Sequence, residues 1–265
     1  MQPLSVSGKR VLVTGASSGI GAALVELLQR RGARVALVAR TGQRLRALAA
    51  ATDVVLAGDL TDPAFRAGLV QRAADALGGL DIVINNAGVG LYQPATGASI
   101  DLARIMFELN FFTPLDLCQQ AVTVFRRQGT PAVIVNVSSM AGEMALPWFT
   151  LYCASKYALA ALTAGLRMEL AKANIGVMNV VPGYVTTAFQ ENVLGGEPPR
   201  AVRNAKRFAV SAEQCAGAIV SGIEHGKRKV VSPWAGRLLT AFATVLPSVV
   251  ESHLMRMNRG GERGK

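Results

Sequence analysis

The sequence predicts an α/β fold, a doubly wound parallel seven-stranded sheet with helices on both faces, and three observations predict it. Short β-branched apolar runs alternate with helix-period segments as far as about residue 232. Those runs are apolar at successive positions rather than at every second one, as in strands covered on both faces. The first of them leads into a glycine-rich turn that opens a helix, the start of a β-α-β unit.

Taken in order, residues 11–13 form the first strand, followed by the glycine turn and a helix reaching Leu28. Strands follow at 34–39, 54–57, 81–85, 132–137, 176–181 and 229–232, with helical segments between them. One helix start is legible in detail: Ser211 and Gln214 make a capping box, and Gly226 stands where that helix should stop. Ligands of such a sheet bind beyond the carboxyl ends of the strands, so the residues after each strand are the candidates.

The 265 residues are 51% hydrophobic and 17% charged, which suits one large domain with no repeat or linker. Cys118, Cys153 and Cys215 are odd in number and widely spaced, with neither a metal-ligand pattern nor a disulfide framework. Residues 1–10 lack the apolar stretch of a secretory signal, so the expected location is the cytoplasm. The net charge is +11, and the basic residues gather late: Arg200, Arg203, Lys206 and Arg207, then Lys227, Arg228 and Lys229, then Arg256, Arg259, Arg263 and Lys265. Such a surface attracts nucleic acid, anionic lipid or an acidic carrier, or is simply a solvated face. No DNA-reading motif or base-stacking aromatic array accompanies it, so no nucleic-acid partner is expected.

After the first strand comes Thr14-Gly15-Ala16-Ser17-Ser18-Gly19-Ile20-Gly21. Glycines let a backbone turn sharply and approach a pyrophosphate, and the next helix offers unpaired N–H groups and a positive dipole end. The second strand ends in Ala39-Arg40, with no carboxylate to pair a ribose 2′-hydroxyl or repel a 2′-phosphate, and a guanidinium able to bind one. NADP(H) is therefore the expected cofactor. Asp59, with Leu60 after it, ends the third strand and either accepts from the adenine amino group or caps the next helix. The fourth strand runs into Asn85-Asn86-Ala87-Gly88, small and amide residues that suit close packing against a cofactor.

The sharpest chemical signal is Tyr152-Cys153-Ala154-Ser155-Lys156, with Ser139 thirteen residues upstream. Tyr152 and Lys156 share one helix face. A free phenol is ionised to only about one part in a thousand at neutral pH. The expectation is that the Lys156 ammonium, with an oxidised nicotinamide, lowers the Tyr152 pKa toward the working range, while Ser139 holds the substrate oxygen.

In this order the T-G-x-x-x-G-x-G loop, N-N-A-G, a helix Asn, S-x12-Y-x3-K and P-G-x-V-x-T resemble the short-chain dehydrogenase/reductase family, across residues 14–187. The resemblance implies a Rossmann-type catalytic domain over residues 1–232 and a catalytic tetrad of Asn110, Ser139, Tyr152 and Lys156. Lys156 would also bind the nicotinamide ribose, and Asn110 would hold a water in a proton relay. Thr14, Gly15, Ser17, Ser18, Gly19, Ile20 and Gly21, then Asn86, Ala87 and Gly88, and then Pro182, Gly183, Val185 and Thr187 would line the cofactor. Residues expected to face the substrate are apolar: Val89, Leu91, Met140, Met144, Leu146, Tyr184 and Phe189, under a lid at 188–208. A steroid, keto-lipid or 3-oxoacyl compound is the expected substrate. The competing class is a non-catalytic NADP(H) sensor or scaffold, but all four tetrad positions are kept.

The chain departs from relatives resembling acyl-carrier-protein reductases, whose last strand carries V-D-G-G. Here the stretch reads Val230-Val231-Ser232-Pro233-Trp234, and an extension over 233–265 follows. A homodimer through long helices at 102–127 and 150–173 is expected, with a tetramer as the alternative. In the extension Leu239, Phe242, Leu246, Val249 and Val250 fall near helical spacing. That face either packs on the protein or lies on a membrane surface with Arg256 and Arg259 near lipid head groups.

Overall fold

The computed structural model describes residues 1–259, so Arg263 and Lys265 lie outside it, as do the side chains of Arg200, Arg207 and Arg259. The chain runs β1 (Arg10–Thr14), α1 (Gly19–Arg30), β2 (Arg34–Ala39), α2 (Gly42–Leu48), β3 (Val54–Ala57), α3 (Pro63–Arg66), α4 (Leu69–Leu77) and β4 (Ile82–Asn85). It continues through α5 (Ile100–Phe107), α6 (Thr113–Gln128), β5 (Ala132–Val137), α7 (Thr150–Glu169), β6 (Ile175–Pro182) and β7 (Val185–Thr186). Last come α8 (Arg200–Ala205), β8 (Val210–Ser211), α9 (Ala212–Glu224), β9 (Lys229–Ser232), α10 (Gly236–Val245) and α11 (Pro247–Arg259).

Seven strands form one parallel sheet in the order β3-β2-β1-β4-β5-β6-β9. Every residue of β4 and β5 is buried, because helices cover both faces. On one face Val11, Val13, Ile82 and Ile84 pack against α1 and α9; on the other Leu12, Val83 and Ile134 pack against α4 and α6. The chain leaves β1 in one direction along the sheet and resumes at β4 in the other, so a crevice opens past the ends of these neighbouring strands.

The capping box is present: Ser211 Oγ accepts from the Gln214 amide at 3.2 Å, and Gln214 Oε1 accepts from the Ser211 amide at 2.9 Å. Gly226 follows the helix at φ +63°. Two features differ from the sequence reading. The segment 102–127 is not one α-helix but α5 and α6 joined by a π-helical turn, Glu108–Phe112, and α7 ends at Glu169 rather than 173. β7 and β8 pair as a separate ribbon too short for sequence periodicity to mark.

Candidate active site

The glycine turn is built by backbone conformation. Gly15 and Gly19 adopt φ +65° and +54°, and a Cβ on Gly21 would run into the Gly15 carbonyl oxygen. Ser18 precedes α1 with an extended backbone and makes no side-chain cap, so the first N–H groups of α1 have no partner from it. Thr14 fastens the turn to the neighbouring strand. Its hydroxyl accepts from the Asn86 and Ala87 amides, both at 3.0 Å, and the Asn86 side chain donates back to the Thr14 carbonyl at 2.9 Å.

Past these strand ends lies a cleft of about 980 Å³. At one end Ala39, Arg40, Thr41 and Arg44 meet Asp59 and Leu60. The Asp59 Oδ1 accepts from the Thr61 amide and hydroxyl at 2.8 Å each, an Asx turn, while α3 is capped by Asp62. The helix-cap role considered for Asp59 thus belongs to Asp62. Burial would raise the Asp59 carboxyl, but Thr61 and Arg40 hold it below its ordinary value.

At the other end, Lys156 is buried and its Nζ donates to the Val137 carbonyl at 3.0 Å, 5.8 Å from the centre of the Tyr152 ring. Asn110 sits on the π turn with its side chain fully committed. Its Oδ1 accepts from the Val89 amide at 2.9 Å, and its Nδ2 donates to the Val89 carbonyl at 2.9 Å and to Ser155 Oγ at 3.0 Å. A Cβ on Gly88 would fall 3.1 Å from Asn110 Oδ1 and 3.3 Å from Lys156 Nζ, so glycine keeps that passage open. Ser139 starts the turn after β5 and accepts from the Ala141 amide at 3.1 Å.

With this arrangement in view, comparison places the chain in a family. A family model described as short chain dehydrogenase matches residues 9–197. The chain belongs to the short chain dehydrogenase family. A dehydrogenase/reductase SDR family protein 7-like of Anopheles gambiae is 31% identical over 260 residues, covering 92% of this chain and 81% of its own. The chain is similar to the solved structure of a short chain dehydrogenase from Burkholderia cenocepacia in complex with NADP, with a TM-score of 0.80, 26% identity and coverage of 95% of this chain and 99% of that one. It also shares the fold of a short chain dehydrogenase/reductase from Burkholderia phymatum in complex with NAD, with a TM-score of 0.84, 23% identity and coverage of 93% and 96%. It is therefore an oxidoreductase of the type that acts on CH–OH and C=O groups.

In this short chain dehydrogenase the cleft gathers most of the residues singled out in the sequence. Gly15, Ser17, Ser18, Gly19, Ile20, Asn86, Ala87 and Gly88 line it, with Pro182, Gly183, Val185 and Thr187. So do Ser139, Tyr152 and Lys156, and the apolar Val89, Met140, Met144, Leu146, Tyr184 and Phe189. Thr14, Gly21 and Asn110 stand behind the wall, where they shape it. Leu91 is a correction. It is 1% exposed and packs in a cluster with Met106 and Phe149, while its neighbour Tyr92 reaches the cleft.

In the chain by itself burial pushes the Tyr152 pKa up, and the Ser139 hydroxyl pulls it only part of the way back. Burial also lowers the Lys156 ammonium, to about 8. The drop expected for Tyr152 requires Lys156 together with an oxidised nicotinamide; in the chain by itself, withdrawing the phenol from water outweighs its neighbours.

Sequence reasoning missed Tyr92, Phe149 and the inner side of the C-terminal helices, all of which line the cleft, while Gln190 lies in the segment expected as the lid. Tyr92 and Phe149 are aromatic residues in loops next to predicted site residues, and that adjacency was the available signal.

Proposed function

We propose that this short chain dehydrogenase transfers hydride between NADP(H) and a hydrophobic ketone or secondary alcohol, with Tyr152 as general acid/base. The observation that carries the reading is one continuous cleft. It holds Arg40 at one end, the glycine turn in the middle and Ser139, Tyr152 and Lys156 at the other.

The residues suit the dinucleotide. The turn brings backbone to the surface where a Cβ could not be accommodated, and Arg40 and Arg44 stand at the corner where a 2′-phosphate would lie. NADP(H), when bound, supplies or accepts the hydride at the carbonyl carbon. Ser139 holds the substrate oxygen. Tyr152, kept protonated at neutral pH by burial, gives its proton to that oxygen in the reducing direction. Lys156, anchored by Val137, stabilises the phenolate left behind. Asn110 fixes the loop at Val89 through paired hydrogen bonds, which holds Gly88 beside Lys156.

The substrate end is lined by Val89, Met140, Met144, Leu146, Phe149 and Phe189, which favours an apolar compound of steroid, keto-lipid or 3-oxoacyl type. We place the enzyme in the cytoplasm, in keeping with three free buried cysteines. Its working unit is a homodimer, supported by Phe112, Tyr157 and Met168, which leave apolar surface exposed along the π turn and α7.

The test is Tyr152→Phe. NADPH binding should persist, measured by fluorescence titration, while turnover of a lipophilic ketone falls at least about a hundredfold. A non-catalytic cofactor sensor would show no turnover to lose in the unaltered chain.

A further inference from the structure

The cleft is closed on one side by the C-terminal helices, which turn a second side to solvent. Leu239 and Phe242 of α10 and Val249, Val250 and Leu254 of α11 line the cavity. The extension also begins against the site itself, since a Cβ on Gly236 would fall 2.9 Å from the Met140 sulfur. Facing away from the protein are Trp234, Leu238 and Val245, at 74%, 68% and 75% exposure. Leaving side chains of this size in water forgoes a large burial free energy, so a contiguous apolar face of this kind marks a contact surface.

Charge decides which contact. The two neighbouring segments, 198–208 and 234–259, carry seven Lys and Arg against a single carboxylate, Glu251. α8 packs on α11, and Arg203, Lys206 and Arg256 are exposed there with Phe208. A second copy of the same face would set cation against cation across an apolar seam. An anionic bilayer complements both properties: the aromatic and aliphatic side chains enter the acyl boundary while the cations meet phosphate. No single helix among the described residues is long and apolar enough to cross a membrane, and α10 and α11, which reach that length and composition only together, are bent by 106° where they join.

We propose that the α10–α11 pair docks on an anionic lipid surface and that the cleft opens toward that surface, so lipophilic substrate enters from the bilayer rather than from water. Leu239 and Phe242 belong to both sides, lining the cavity yet remaining 47% and 45% exposed, so the mouth of the cleft lies within the docking face. The delivery half rests on the proposed ketone substrate; the docking half does not.

The test uses the full chain with vesicles of phosphatidylcholine, with and without phosphatidylglycerol. The protein should float with the anionic vesicles, and Leu238→Ser with Val245→Ser should reduce that partition at least about tenfold. Neither residue lines the cleft, so NADPH binding and turnover of a water-soluble ketone should be unchanged. Turnover of a lipophilic ketone held in vesicles should fall about tenfold in the same variant, and turnover of that ketone in detergent micelles should not. Failure of the unaltered chain to float, flotation insensitive to the two serines, or a dimer that these serines dissociate would overturn the docking. Equal vesicle turnover in the variant and the unaltered chain would overturn the delivery. If no lipophilic ketone is reduced even in micelles, the proposed substrate fails, delivery falls with it, and flotation still decides the docking.

Discussion

Phe149 and Tyr152 stack face to face, their ring centres 4.2 Å apart and their planes at 14°. Tyr92 lies against Phe149 at 4.4 Å, and its hydroxyl donates to Gln190 at 2.5 Å in the segment over the cleft. The proposed general acid is thus held by an aromatic column that ends in the lid. Phe149→Ala should lower stability by about 3 kcal/mol, read by urea unfolding, and kcat roughly tenfold. Phe149→Leu should restore most of the stability but not the rate, because volume returns without a flat surface to orient the phenol.

Lys156 gives the chain a pH signature. Its pKa is lowered by burial to about 8 against an ordinary 10.5. Between those values the unfolded chain holds the proton and the native chain does not, so the Lys156 contribution to native stability rises with pH. Below about 8 both forms are protonated and the full cost of the buried ammonium is present. From pH 8 to 10 the gain should be about 2 kcal/mol in the cofactor-free protein. From about pH 9 the buried Cys118, Cys153 and Cys215 thiols, and above about 10 the Tyr152 phenol, work the other way, since burial raises them and each ionises first in the unfolded chain. In urea unfolding at a series of pH values, the stability of the unaltered chain relative to Lys156→Met should rise by about 2 kcal/mol from pH 8 to 10; a difference that stays constant with pH would assign the effect elsewhere.

Arg40 is the exposed residue at the end of β2, next to Arg44. Arg40→Asp should weaken NADPH about a hundredfold and NADH far less, because it replaces a charge-assisted contact with repulsion of the phosphate. Fluorescence titration with both nucleotides checks this, and parallel losses would show that Arg40 does not read the 2′-position.

Met168, 73% exposed on α7, belongs to the proposed dimer face. Met168→Glu should shift the protein from dimer to monomer in sedimentation velocity, since a carboxylate buried between copies lacks a partner. An unchanged sedimentation coefficient would place the interface elsewhere.

The sheet was legible because its central strands are buried on both faces, so runs such as 132–135 are apolar without alternation. The glycine turn and the Tyr152–Lys156 pair were legible because their spacing is local. What escaped the sequence is non-local or depends on backbone detail. The π turn that carries Asn110 has the composition of an uninterrupted helix. Leu91 and Tyr92 are both apolar enough to face the cleft, and only the turn of the loop decides that Tyr92 does. The lining by α10 and α11 depends on how far the end of the chain folds back over the sheet. The rise in the Tyr152 pKa follows from burial, which spacing along one helix does not reveal.

The hydroxyl of Thr14, already engaged with the Asn86 and Ala87 amides, has a wider consequence. It clamps the tips of β1 and β4 from within, so the gap that would receive the pyrophosphate has its width fixed when the protein folds. The nucleotide then enters a berth already cut to size and need not pull the two halves of the sheet together.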